Sequence, residues 1–173
     1  KTPIHAWAEE QGAVFIETGL WYRTQWFPRA GETDWLQSVA REVKNTRENV
    51  GVCDVSTLGK IDIQGPDSAK LLDLVYTNKF STLKVGKVRY GLMLREDGFV
   101  MDDGTCARLG ETHFLMTTTT GAAGEVMRHL EFVTQCLHPE WQVHLTSVTE
   151  HWAQFAVAGP KARELLNGLL QRP

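Results

Sequence analysis

A chain of 173 residues, 42% of them hydrophobic, carries enough apolar side chain for one ordinary domain with a core. Its 18 basic and 21 acidic residues are interspersed and leave a net charge of -3, which excludes the clustered cationic footprint of a nucleic-acid binder. No apolar run approaches the ~20 residues that cross a bilayer, the first residues lack a signal-peptide core, and the three cysteines and six histidines show no disulfide or metal-ligand spacing, a pattern that fits a reducing, cytoplasmic setting with no membrane and no bound metal.

Residues 1–31 are crowded with Trp7, Phe15, Trp21, Tyr22, Trp26 and Phe27 and alternate poorly. They read as an irregular arm with one short strand at Ala13–Glu17, whose aromatics serve mostly for packing against a core or a partner. From Asp34 the spacing turns helical: Trp35, Leu36, Val39, Ala40 and Val43 form a stripe, Asp34 with Gln37 resembles a capping pair, and Gly51 closes the helix. Strands are expected at Val52–Val55 and Leu58–Ile63, the second with Lys60 and Asp62 on its other face. Gly65-Pro66 stops that strand and places the proline in the first turn of a helix carrying Ala69, Leu72, Val75 and Tyr76.

Lys87–Thr120 reads as three strands joined by two turns. Val88, Tyr90, Leu92 and Leu94 alternate with Arg89, Gly91 and Met93, and Asp97-Gly98 signals a two-residue hairpin turn. Asp102 and Asp103 then enter the next strand where an apolar residue belongs, and burying a carboxylate there has a desolvation cost. By themselves Asp102-Asp103-Gly104 also read as one more exposed turn. As strand residues the two acids would point to opposite faces, one toward a site and the other toward a structural partner or solvent. Gly110-Glu111 breaks the chain before His113–Thr119.

Gly121 opens a helix with Ala122, Val126, Leu130, Val133 and Leu137 on one side, ended by Pro139. The small residues Gly121–Gly124 read either as an anion-binding helix start or as a close packing surface. Strands follow at Val143–Val148 and Gln154–Val157, and Gly159-Pro160 launches a last helix with Leu165 and Leu166 inward. IDIQGPDSAKLLDLV from Ile61 and FAVAGPKARELLNGL from Phe155 share strand, Gly-Pro and paired leucines 94 residues apart, which indicates an internal duplication. The class is α+β with mixed or antiparallel sheets, and no G-x-G-x-x-G follows a strand to suggest a dinucleotide site.

GVCDVSTLGKIDIQGPDSAKLL, VRYGLMLREDGFVMDDGTCARL and SVTEHWAQFAVAGP resemble the folate-binding aminomethyltransferase family, which includes the glycine-cleavage T-protein, dimethylglycine dehydrogenases and the alpha subunit of heterotetrameric sarcosine oxidase. DVSTLGKIDIQGPD, the Thr117–Gly121 run and the aromatic arm resemble the last of these most, and the chain looks like a piece of a longer polypeptide. The resemblance implies an N-terminal arm and helix over residues 1–50 and the first part of a folate-binding domain over 51–173. It implies that Asp103 is the catalytic carboxylate beside N10 of tetrahydrofolate. Tyr90, Leu58, Thr105 and Thr119 would line the folate pocket with it, Leu58 replacing a methionine of the T-protein. Ala107 departs from the larger side chain that relatives carry. A pocket glutamate and arginine would lie beyond Pro173.

The implied reaction is oxidation of sarcosine to an imine at a flavin elsewhere, with transfer of its methylene group to tetrahydrofolate. The products would be 5,10-methylenetetrahydrofolate, glycine and hydrogen peroxide. FAD, FMN and NAD would belong to the parent complex and its other sarcosine oxidase subunits, not to this segment. The rival readings are a T-protein or dimethylglycine dehydrogenase folate domain and, from another class, a non-catalytic subunit-assembly module.

Overall fold

A computed structural model describes residues 1–170. In chain order the elements are α1 (His5–Glu10), β1 (Val14–Thr18), β2 (Trp21–Trp26), α2 (Trp35–Glu48), β3 (Gly51–Asp54), β4 (Gly59–Gln64), α3 (Ser68–Val75), β5 (Val88–Leu94), β6 (Val100–Gly110), β7 (His113–Thr118), α4 (Ala123–Phe132), β8 (His144–Ser147), β9 (Phe155–Ala158) and α5 (Ala162–Leu169). Every strand pairing is antiparallel, so the chain is α+β as its sequence predicts. The described residues divide into two compact units, one formed by residues 1–57 and 152–170 and the other by 58–151.

In the second unit five strands lie in the order β5-β6-β7-β4-β8. One face of this sheet packs on α3 and α4, and Ile61, Ile63, Met93, Cys106, Phe114 and Met116 meet Leu71, Leu72, Val126 and Leu130 in a buried core. Burying a side chain of this size stabilises by roughly 1.5–3 kcal/mol, so this cluster is the main reason the unit folds. Phe80 and Tyr76 also enter it, their rings 4.9 Å apart. They fit because Gly91 faces them: a Cβ there would sit 2.8 Å from the Tyr76 ring and 3.0 Å from that of Phe80. Burial lifts the Cys106 thiol to about 12.

The inward residues of β5 are thus Gly91 and Met93, while Val88, Tyr90, Leu92 and Leu94 stand exposed. Alternation identifies an apolar row; it does not say whether that row is covered. The β5–β6 connection also differs from the expected two-residue turn. Arg95 N–H bonds to Phe99 O and Gly98 N–H to Arg95 O, making a three-residue loop with Gly98 at φ 83°. Asp97 instead accepts the Phe99 N–H at 3.1 Å. Nor do the aspartates form a turn, since β6 runs without interruption through both.

The first unit replaces the expected irregular arm with α1 and a β1–β2 hairpin. Thr18 pairs with Trp21 across Gly19-Leu20, and Gly19 at φ 59° supplies the left-handed conformation this tight turn needs. The hairpin aromatics pack on one another and on α1 and α2: Phe15 stacks on Tyr22 at 5.1 Å, His5 lies 4.6 Å from Phe15, and Trp26 is 6.3 Å from Trp35. Glu32 and Arg41 pin the chain leading into α2, Nε to Oε1 at 2.6 Å. That guanidinium, then the Ser38 hydroxyl, hold the Glu32 carboxyl down at about 2.

Asp34 caps α2 as expected, accepting the Gln37 N–H at 3.0 Å. The helix continues through Asn45 to Glu48, and Gly51 opens β3 instead of closing it. Trp35, Leu36 and Val43 of its stripe remain exposed. Leu165 is half-buried and Leu166 exposed, so α5 does not turn them into a core as the sequence predicts.

The duplication is visible bond for bond. Gly65 and Gly159 hold φ 133° and 120°, and α3 and α5 each span eight residues at the same offset. Ser68 N–H bonds to Gly65 O and Ala162 N–H to Gly159 O, both at 3.1 Å. Pro66 and Pro160 fall in the turn before the helix, one residue ahead of the caps Asp67 and Lys161, not inside the first helical turn. Each glycine lies where a Cβ would collide with a carbonyl, that of Gln142 at 2.1 Å and that of Asn49 at 2.5 Å. Those carbonyls precede β8 and β3, the strands that pair with β4 and β9.

Candidate active site

The open face of β5 and β6 brings three of the expected residues together. In the register Leu92 faces Asp103 and Tyr90 faces Thr105, so Tyr90 and Asp103 are diagonal neighbours on one side of the ladder. The Tyr90 hydroxyl donates to Asp103 Oδ2 at 2.8 Å. Among the described residues nothing donates to Oδ1. Both side chains are exposed and are flanked by Val88 and Leu92. The bond to Asp103, followed by partial burial and the two aspartate charges, raises the Tyr90 phenol above its ordinary value. Tyr90 therefore stays a protonated donor at neutral pH.

Asp102 points the other way and is 5% exposed. Both its oxygens accept the Thr119 N–H at 3.2 Å, which ties β6 to the end of β7. This is the opposite-face arrangement that strand geometry demands. Thr119 is itself exposed at the surface. Thr105 is half-buried and locked to Thr117: its N–H donates to Thr117 Oγ1, and the two hydroxyls are 2.9 Å apart. Gly104 permits this close approach, since a Cβ there would lie 2.1 Å from Thr117 O.

Leu58 is half-buried on the bend before β4, where Gly59 pairs with Thr118. It leaves the same end of that ladder as Thr119, and no hydrogen bond joins either of them directly to Asp103 or Tyr90. Lys60 was legible only as a residue of the opposite face. It is 2% exposed, and its ammonium donates to the Leu58 carbonyl at 2.9 Å, fixing the bend. A second polar pair lies along the same sheet, His113 Nε2 to Asp62 Oδ1 at 2.5 Å, and its partners are 51 residues apart in the chain, beyond any spacing rule.

The arrangement offers an exposed carboxylate with one free oxygen, an adjacent phenol donor and an apolar floor. Such a face suits a flat ring system bearing amine donors or a developing positive charge. Among the described residues no group of three or more His, Cys, Asp or Glu could hold a metal ion, and no helix is long and apolar enough to cross a membrane.

Comparison with known proteins gives a consistent result. The family described as the GCVT N-terminal domain matches residues 4–172. The chain is 60% identical over 170 residues to the sarcosine oxidase subunit alpha of Rhizobium meliloti (strain 1021), covering 98% of this chain and 17% of that protein. It is 32% identical over 170 residues to an aminomethyltransferase of Corynebacterium aurimucosum, covering 98% of this chain and 42% of the relative. The crystal structure of glycine cleavage system aminomethyltransferase T from Bartonella henselae superposes with a TM-score of 0.84 at 25% identity, over 100% of this chain and 44% of that one. The chain thus spans less than half the length of each of these relatives.

Proposed function

We propose that this chain, which belongs to the GCVT N-terminal domain family, forms the first part of a folate-binding domain in a sarcosine oxidase alpha subunit. In this reading the domain passes the methylene group of a sarcosine-derived imine to tetrahydrofolate, giving 5,10-methylenetetrahydrofolate and glycine. Residues 51–173 begin that domain, residues 1–50 are its arm and first helix, and the flavin and NAD chemistry lies in other parts of a cytoplasmic heterotetramer. The high identity to a sarcosine oxidase alpha subunit favours this reading over a free-standing aminomethyltransferase.

The observation that carries it is the Tyr90–Asp103 pair on an uncovered apolar face. Tetrahydrofolate, when bound, supplies two amines able to capture a one-carbon unit. Tyr90 would occupy Oδ2 of Asp103, leaving Oδ1 to attract the cationic imine and to accept the proton released as an amine bonds to carbon. Thr105, Leu58 and Thr119 would line the same pocket, with Asp102 holding the Thr119 backbone in place. Residues outside this segment would complete the enclosure.

The test is Asp103→Ala in the intact enzyme. Flavin reduction by sarcosine should continue while methylenetetrahydrofolate formation falls ~10²-fold or more. An unchanged folate product would remove Asp103 from the mechanism.

A further inference from the structure

The segment contains its own template for a strand pairing that it leaves unmade. The pair β3–β9 reproduces β8–β4: Val55 N–H bonds to Gln154 O and Val148 N–H to Lys60 O, each at 2.9 Å. In each copy the helix after the Gly-Pro turn follows at the same offset. Yet β4 has strands on both sides, β8 and β7, whereas among the described residues β9 pairs with β3 alone.

Alternation of the antiparallel ladder turns the backbone groups of Phe155 and Val157 toward the open edge, as those of Ile61 and Ile63 turn toward β7. The side chains show the same deficit. Ile61, Leu72 and Val75 are 2%, 0% and 7% exposed, while their counterparts Phe155, Leu166 and Leu169 are 43%, 39% and 72% exposed. A depression of about 420 Å³ runs beside α5, lined by Val50, Lys161, Glu164, Leu165, Gly168 and Leu169. A bare strand edge beside an apolar helix face is a seat for another strand.

We propose that the open edge of β9 receives an antiparallel strand in the place β7 holds beside β4, backed by a helix in the place of α4. Both come from the same polypeptide, in the longer proteins that carry this segment. The internal copy supplies the register, with the new strand opposite Phe155–Ala158 as His113–Met116 is opposite Ile61–Gln64. The relatives supply the chain length, since the aligned aminomethyltransferase is more than twice as long. The inference is independent of what the Asp103 face binds.

The experiment is amide hydrogen exchange, resolved by residue, on the full-length polypeptide that carries this segment, at several protein concentrations. The Phe155 and Val157 amides should be slowed at least ~100-fold relative to an unstructured chain, to the level of Ile61 and Ile63. Fast exchange at Phe155 and Val157 beside protected Ile61 and Ile63 would overturn the proposal. So would protection that vanishes on dilution in step with dissociation of a dimer, because the occupant would then be a second copy.

Discussion

The hydroxyl of Tyr90 sits 2.8 Å from Asp103 Oδ2, across a strand pair whose core-facing residues on β5 are a glycine and a methionine. The bond holds together two residues that packing alone would leave free to move. Its removal should therefore affect chemistry more than folding.

Tyr90→Phe should change the melting temperature little, because the side chain is exposed and its ring is retained. Under the proposed function, methylene transfer in the intact enzyme should fall about 10-fold, equivalent to ~1.4 kcal/mol of transition-state stabilisation. Product yield against thermal melting separates the two effects.

The phenol itself reports the pair. In Asp103→Ala the Tyr90 hydroxyl loses its carboxylate acceptor and the neighbouring charge, so it should ionise at lower pH than in the parent chain. NMR of ring-labelled tyrosine read from pH 8 upward checks this. An unmoved titration would show that the bond is absent in solution.

Asp102→Ala should destabilise the chain by ~1–3 kcal/mol, because the Thr119 N–H loses a buried charged acceptor. Asp102→Asn retains one carbonyl oxygen and should cost less. Chemical denaturation of the two variants measures the difference.

Cys106 sets an alkaline limit. Its folded-state value of about 12 lies above its ordinary 9.0, so the unfolded chain releases this proton first. Stability from this thiol is complete below about pH 9 and declines as pH rises toward 12, by up to ~1.4 kcal/mol per pH unit. Denaturation midpoints of Cys106→Ala should fall less steeply over that window. An identical slope in both proteins would refute the linkage.

Gly65→Ala meets a backbone carbonyl as well as a disfavoured φ, whereas Gly86→Ala at φ 78° meets open space. Gly86→Ala should cost only the ~1–2 kcal/mol of the left-handed conformation. Gly65→Ala should cost clearly more, and parallel denaturation curves test the order.

Much of this was legible because local chemistry and tertiary structure agree. The Gly-Pro repeats predict two matching strand–helix units, and the units match to the hydrogen bond. Asp102 and Asp103 diverge because adjacent strand residues must. The β1–β2 hairpin was hidden because large aromatics occupy both its faces, leaving Gly19 as the only punctuation. The exposure of Val88, Tyr90, Leu92 and Leu94 was hidden for another reason. Which face of a sheet is covered depends on Tyr76 and Phe80, rings from a helix end and a loop that periodicity does not connect to β5. The contacts Lys60–Leu58 and His113–Asp62 depend on pleat and register, which only coordinates supply.

Gly91 has the widest reach of these features. By ceding its side-chain volume to the Tyr76 and Phe80 rings, it lets β5 close its side of the interior through Gly91 and Met93, without the even-numbered side chains of the strand. Tyr90 and Leu92 are thereby relieved of structural duty, so substitution on that surface should leave the scaffold beneath intact.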